Sequence, residues 1–123
     1  MRVNRRIGGL AILAATLTAH SGLAAESFRK LGAPQIRAAL SGMELSDGVH
    51  SRDVFQPDGK LISFAMSNRS TGAWRVQNDE LCFERPKQDT SCYEFWMSGK
   101  KVELRRTGRA MPLFEGMLRA PSL

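Results

Sequence analysis

The chain has 123 residues, with 18 Lys and Arg against 12 Asp and Glu, for a formal net charge of +6. Three of the arginines (Arg2, Arg5 and Arg6) and none of the acids precede residue 26, so the remainder holds 15 basic against 12 acidic residues, a net charge of +3. That mild excess bears on solubility and is no evidence for a nucleic-acid partner, while the remaining chain of about 98 residues suffices for one small domain.

Residues 1–25 read as a secretory signal peptide. The arginines open it, the uncharged run Ile7 to Ala19 follows, and Ser21-Gly22-Leu23-Ala24-Ala25 ends it in small side chains. The apolar run is shorter than the roughly 20 residues of a membrane span, so cleavage after Ala24 or Ala25 is expected and no transmembrane segment is left. No cysteine lies near the cut to accept a lipid. Gly8 and Gly9 after Arg5-Arg6 favour the general secretory route over twin-arginine export. The expected location is the periplasm or the medium, and residues 26–123 are expected to form a single domain.

Glu26 to Gly32 reads as a loose lead-in. Pro34 to Leu40 reads as a short helix, with proline at the start, Ile36, Ala39 and Leu40 on one face, and Gly42 as the stop. Strands and tight turns are expected from Met43 onward. His50 to Phe55 and Lys60 to Met66 flank Pro57-Asp58-Gly59, and Asn68 to Gly72 reads as a polar loop. Ala73 to Gln77 and Glu80 to Glu84 flank Asn78-Asp79, and Arg85 to Thr90 reads as a hairpin loop. Ser91 to Met97 and Lys100 to Arg106 flank Ser98-Gly99. Met111 to Leu118, interrupted by Pro112 and Gly116, is placed to close the sheet or to cover its open end.

Cys82 and Cys92 are the two cysteines of the chain. An even count in an oxidising compartment reads as a disulfide. Placing Cys82 opposite Cys92 also sets Leu81 opposite Tyr93, so one register satisfies both the bond and the apolar face. It brings Glu80 beside Glu94, a like-charge pair. Centring the next turn on Ser98-Gly99 predicts Phe95 opposite Val102 and Tyr93 opposite Leu104. Six to seven short strands with one N-terminal helix predict a mainly β fold, a small antiparallel barrel or sandwich with a hairpin disulfide.

No catalytic constellation or cofactor motif emerges. His50 is the one histidine outside the first 25 residues, and no serine is marked as its nucleophilic partner. Glu80, Glu84 and Glu94 read as a solvated sheet face. No histidine pair or Asp/Asn loop suits a metal, and there is no phosphate loop or dinucleotide fingerprint. The basic residues Lys100, Lys101, Arg105, Arg106 and Arg109 are the distinctive charged feature, suited to an acidic surface such as anionic lipid headgroups or an acidic protein cleft. Trp74 is expected in the core. Trp96, on the cysteine face, is the candidate functional aromatic.

Asp58-Gly59, Gly72-Ala73-Trp74, Leu81-Cys82, Cys92-Tyr93 and Gly99 together resemble a pattern in small exported proteins of Gram-negative bacteria that carry a domain of unknown function. The resemblance covers roughly Leu40 to Arg106. It implies a small exported β domain and no particular activity. Ser98-Gly99-Lys100-Lys101 also resembles the loop that periplasmic lysozyme inhibitors of the small β-barrel type insert into the enzyme's cleft, although Val102 stands where that loop has tyrosine. The expected function is that of a non-enzymatic envelope binding domain, with Trp96, Ser98, Gly99, Lys100, Lys101 and Arg105 as its candidate contacts. The alternatives are an inhibitor of an envelope-directed hydrolase and, less in keeping with the residues, a small hydrolytic enzyme.

Overall fold

A computed structural model describes residue 3, residues 8–16 and residues 27–122. The expected cleavage site at Ala24 or Ala25 lies outside the described residues. Among the described residues, no helix is long and apolar enough to cross a membrane.

The elements run β1 (Arg29–Lys30), α1 (Ala33–Leu40), β2 (Met43–Ser46), β3 (Ser51–Phe55), β4 (Lys60–Ala65), β5 (Asn68–Gln77), β6 (Glu80–Glu84), β7 (Ser91–Ser98), β8 (Lys101–Arg105) and β9 (Pro112–Arg119). Each strand from β2 to β9 pairs antiparallel with its neighbour in sequence, and β9 returns to pair with β2. The result is a closed eight-stranded up-and-down barrel, a form with no free sheet edge around the ring. β1 adds a ninth, short strand. It pairs with Trp96 and Met97 of β7, an edge that β6 leaves uncovered because its pairing with β7 ends at Glu80 opposite Glu94. The expected loose lead-in is therefore partly strand.

The barrel interior is filled by alternate side chains of the strands, as its small diameter requires. Leu45, Phe55, Leu61, Leu81, Phe95 and Val102 are almost wholly buried. The Trp74 ring meets Phe55 edge-on at 5.5 Å, and its indole N–H donates to the Gln56 carbonyl at 2.8 Å. One end of the barrel is plugged by α1, whose Ile36 and Leu40 are fully buried. Pro34 sits in its first turn, and Gly42 ends it at φ +78°, a left-handed conformation that suits glycine. The Asp79 carboxylate accepts the Ala33 N–H at 2.7 Å and ties the helix start to the β5–β6 turn.

The disulfide joins Cys82 and Cys92, with Leu81 opposite Tyr93 and Glu80 opposite Glu94, in the expected register. The two glutamates are kept apart in their bonding: Thr107 donates to Glu80 at 2.7 Å, while Lys30 approaches Glu94 at 3.3 Å.

Three expectations are corrected. The β7–β8 pairing is shifted by two residues, with Phe95 opposite Leu104, Met97 opposite Val102 and Ser98 opposite Lys101. The turn is centred on Gly99-Lys100 because the first central position takes φ +60°, which favours glycine there over Ser98. Asn68–Gly72 is strand, since Met66-Ser67 forms a two-residue turn and β5 runs unbroken to Gln77. Its first residues project beyond the reach of β6, so both faces meet water and no apolar alternation marks them. His50 lies in the β2–β3 loop and not in a strand. There the Asp47 carboxylate accepts the N–H groups of Val49, His50 and Ser51 at 2.9, 2.7 and 3.0 Å.

Candidate functional site

Opposite the helical plug the barrel is open. β6 ends there, β7 begins there, and the loop between them, residues 85–90, forms one side of the mouth. A cavity of about 200 Å³ enters the lumen at this point. Its apolar wall comes from inward positions of five strands: Leu45, Phe83, Tyr93, Leu104 and Phe114. Gly116 makes room for the Phe114 ring, since a Cβ there would meet it at 2.6 Å.

The polar wall is built by one long side chain. Arg85 continues the inward alternation of Leu81 and Phe83, and it crosses the lumen to Asp53 on β3. Nη1 donates to Asp53 Oδ1 at 3.1 Å and Nη2 to Oδ2 at 2.9 Å, a two-pronged pair. Nη1 also donates to the Ser63 hydroxyl at 2.6 Å. The guanidinium lies 4.8 Å from the centre of the Phe83 ring. Gln88 and Asp89, exposed on the loop, complete the rim with Ser91.

The size of the cavity decides what it can hold. Pockets that enclose a whole drug-sized ligand measure about 300–1,000 Å³, whereas a single benzene ring fits an engineered cavity of roughly 150 Å³. A space of about 200 Å³ therefore suits one ring or one side chain. The polar groups offered to it are a guanidinium edge, a carboxylate rim, an amide and two hydroxyls, a set that binds and orients. Among the described residues, no group of His, Cys, Asp and Glu could hold a metal.

The residues singled out from the sequence lie elsewhere. Trp96 is on the outer wall, half-buried, with its indole N–H donating to Glu94 at 3.1 Å and the Arg105 guanidinium 4.0 Å above its ring. Glu103 in turn accepts from Arg105 Nε at 2.8 Å. Burial works to raise the Glu94 pKa, but hydrogen bonds from Trp96 and Lys30 outweigh it and hold the carboxyl below its ordinary range. Ser98, Gly99, Lys100 and Lys101 form the tight turn at the plugged end, where the Lys100 carbonyl accepts the Leu118 N–H at 2.8 Å. The basic run is thus split: Lys100 and Lys101 sit at one end of the barrel, Arg106 and Arg109 lead off the other, and Arg105 is engaged with Trp96.

A second buried charge was missed as well. Glu44, on β2, is fully buried on the outer wall. It accepts from Arg52 at 2.9 Å, from Arg119 and from the Ser122 hydroxyl at 3.1 Å. Burial pushes its pKa up, and the two guanidinium groups and Ser122 pull it further down, so that it stays ionised. This arrangement draws the C-terminal segment down onto the barrel wall. Comparison with protein-family models, with curated proteins and with solved structures finds no match for this chain.

Proposed function

We propose that the chain is an exported, non-enzymatic binding domain, and that the cup at its open end receives one projecting group of the partner. The observation that carries this reading is the cavity itself: an apolar wall, a cross-lumen Arg85–Asp53 pair and a volume of about 200 Å³. The partner would offer a ring or side chain with a polar end, as a sugar unit or a peptide side chain does. The Cys82–Cys92 bond agrees with the oxidising compartment that the N-terminal segment implies.

The test is an amide-resonance NMR titration with N-acetylglucosamine and with N-acetylated amino-acid amides as probes. Shifts gathered at Arg85, Ser91, Tyr93 and Phe114, and lost in Ser91→Phe, are the expected result. Silence from every probe, or shifts gathered around Trp96, would overturn it. A lysozyme that instead perturbs Gly99 to Lys101 would favour the inhibitor reading.

A further inference from the structure

Five large apolar side chains are exposed among residues 27–122: Val49, Met66, Met111, Leu113 and Met117. Four of them lie in or beside the loops that leave the open end of the barrel. Val49 is in the β2–β3 loop (81% exposed), Met66 in the β4–β5 turn (78%), and Met111 and Leu113 at the start of β9 (82% and 57%). The turns at the plugged end carry Ser41-Gly42, Gln56 to Gly59, Asn78-Asp79 and Gly99-Lys100, with no large apolar residue among them. Scattered exposed apolar residues need no explanation, but their collection at one end of a barrel does.

Charge follows the same division. Lys87, Arg106 and Arg109 are exposed in the open-end loops, and no ion pair holds them among the described residues. Against them stands Asp89, because the carboxylate of Asp47 is committed to three backbone N–H groups. The loops are also held in place. The Met66 N–H donates to the His50 carbonyl at 2.9 Å and joins two tips, and the Thr107 hydroxyl ties the β8–β9 loop to Glu80 at 2.7 Å.

We propose that the open end of the barrel docks on an anionic lipid surface, with Val49, Met66, Met111 and Leu113 entering the headgroup region and the three cations meeting lipid phosphates. Separate apolar tips interspersed with unpaired cations match a surface that is anionic outside and apolar just beneath. A protein groove would instead call for a contiguous apolar patch. The docking rests on the rim and not on the cavity: Ser91→Phe fills the cup and leaves the tips unchanged, so the two readings fail separately.

The test uses the full chain and vesicles containing phosphatidylglycerol, with phosphatidylcholine vesicles as the comparison. A polarity-sensitive fluorophore is attached in Met111→Cys and, at the plugged end, in Lys100→Cys. The expected result is a blue shift from position 111 with anionic vesicles only, weakened by salt, and none from position 100. Arg106→Gln with Arg109→Gln should weaken the partitioning reported from position 111 roughly thirtyfold. Replacing Val49 and Met66 by serine should weaken it by about tenfold or more. Anchoring through the N-terminal segment would instead bring the plugged end, where β1 lies beside the Gly99-Lys100 turn, towards the vesicle and shift the probe at position 100. No shift at position 111, an equal shift at position 100, or rim variants that partition like the parent would overturn the proposal.

Discussion

Arg85, just past the end of β6, and Asp53, on β3, grip each other across the barrel lumen with two parallel hydrogen bonds of 3.1 and 2.9 Å. The strands that carry them are separated by β4 and β5, so the pair braces the mouth where no backbone pairing spans it.

Loss of one partner leaves a partly buried charge unmatched. Asp53→Asn is expected to destabilise the fold by about 2 kcal/mol, which in a domain of this size lowers the midpoint of thermal unfolding by roughly 10 °C. In an Arg85→Gln background the same change should have a much smaller effect. A double-mutant cycle followed by circular dichroism reads the coupling, and equal effects in both backgrounds would show that the pair does not brace the mouth.

Glu44 has the larger consequence. It is fully buried and satisfies two guanidinium groups together with Ser122. Glu44→Gln keeps the shape and removes the charge, so it is expected to lower stability by about 3 kcal/mol. Arg119→Ala, which leaves Arg52 and Ser122 in place, should lower it less. Urea unfolding should show the midpoint falling with an unchanged slope. A stable Glu44→Gln protein would mean that the C-terminal segment is held by other contacts.

Acid should undo the same parts. Asp47 is lowered from 3.8 to about 2, chiefly by the Ser51 and Val49 N–H groups, and Glu44 and Glu94 are lowered too. A carboxylate with a folded pKa below its unfolded value stabilises fully above the unfolded pKa, and the contribution is lost as pH falls through the folded one. Stability should hold from neutrality to about pH 5 and then decline towards pH 2. Asp47→Asn should flatten the lower part of that decline, as urea midpoints across the pH range would show. A rise in stability on acidification would contradict the ionised state of all three groups.

The disulfide closes a short loop, with a sequence separation of 10. Cys82→Ser with Cys92→Ser, or reduction, should remove about 2–3 kcal/mol on the chain-entropy argument. β6 and β7 remain paired through Leu81 and Tyr93, so the barrel should stay folded with a lowered melting midpoint. Unchanged melting on full reduction would mean that the bond adds nothing beyond the pairing.

The β6–β7 register is legible in the chain because two independent constraints coincide there, the cysteines and the apolar alternation. At β7–β8 only the alternation is available, and a slip of two residues keeps the same face inward, so the turn glycine decides. The closure of the ring is not local at all. β2 contains Glu44, and its place in the sheet depends on Arg119, 75 residues away. The mouth left a fainter trace. Arg85 keeps the parity of Leu81 and Phe83, and Asp53 that of Phe55, so both charges stand on an inward face. Arg85 falls in the stretch read as a hairpin loop, one residue past β6, and Asp53 is a single acid within its strand, so neither marks a contact across the lumen.

The ring of strands closes only when β9 slots between β2 and β8. The β2–β9 pairing, Glu44 opposite Arg119, Leu45 opposite Leu118 and Ser46 opposite Met117, joins segments about as far apart along the domain as its length allows. Every other strand pair in the barrel can form from neighbours in sequence, so the hairpins can assemble in order as the chain appears. The final seam cannot. A chain threaded out N-terminus first therefore carries an open sheet, with two unsatisfied edges, until residues 112–119 arrive. Completion of the barrel is thereby timed by the arrival of its C-terminal strand.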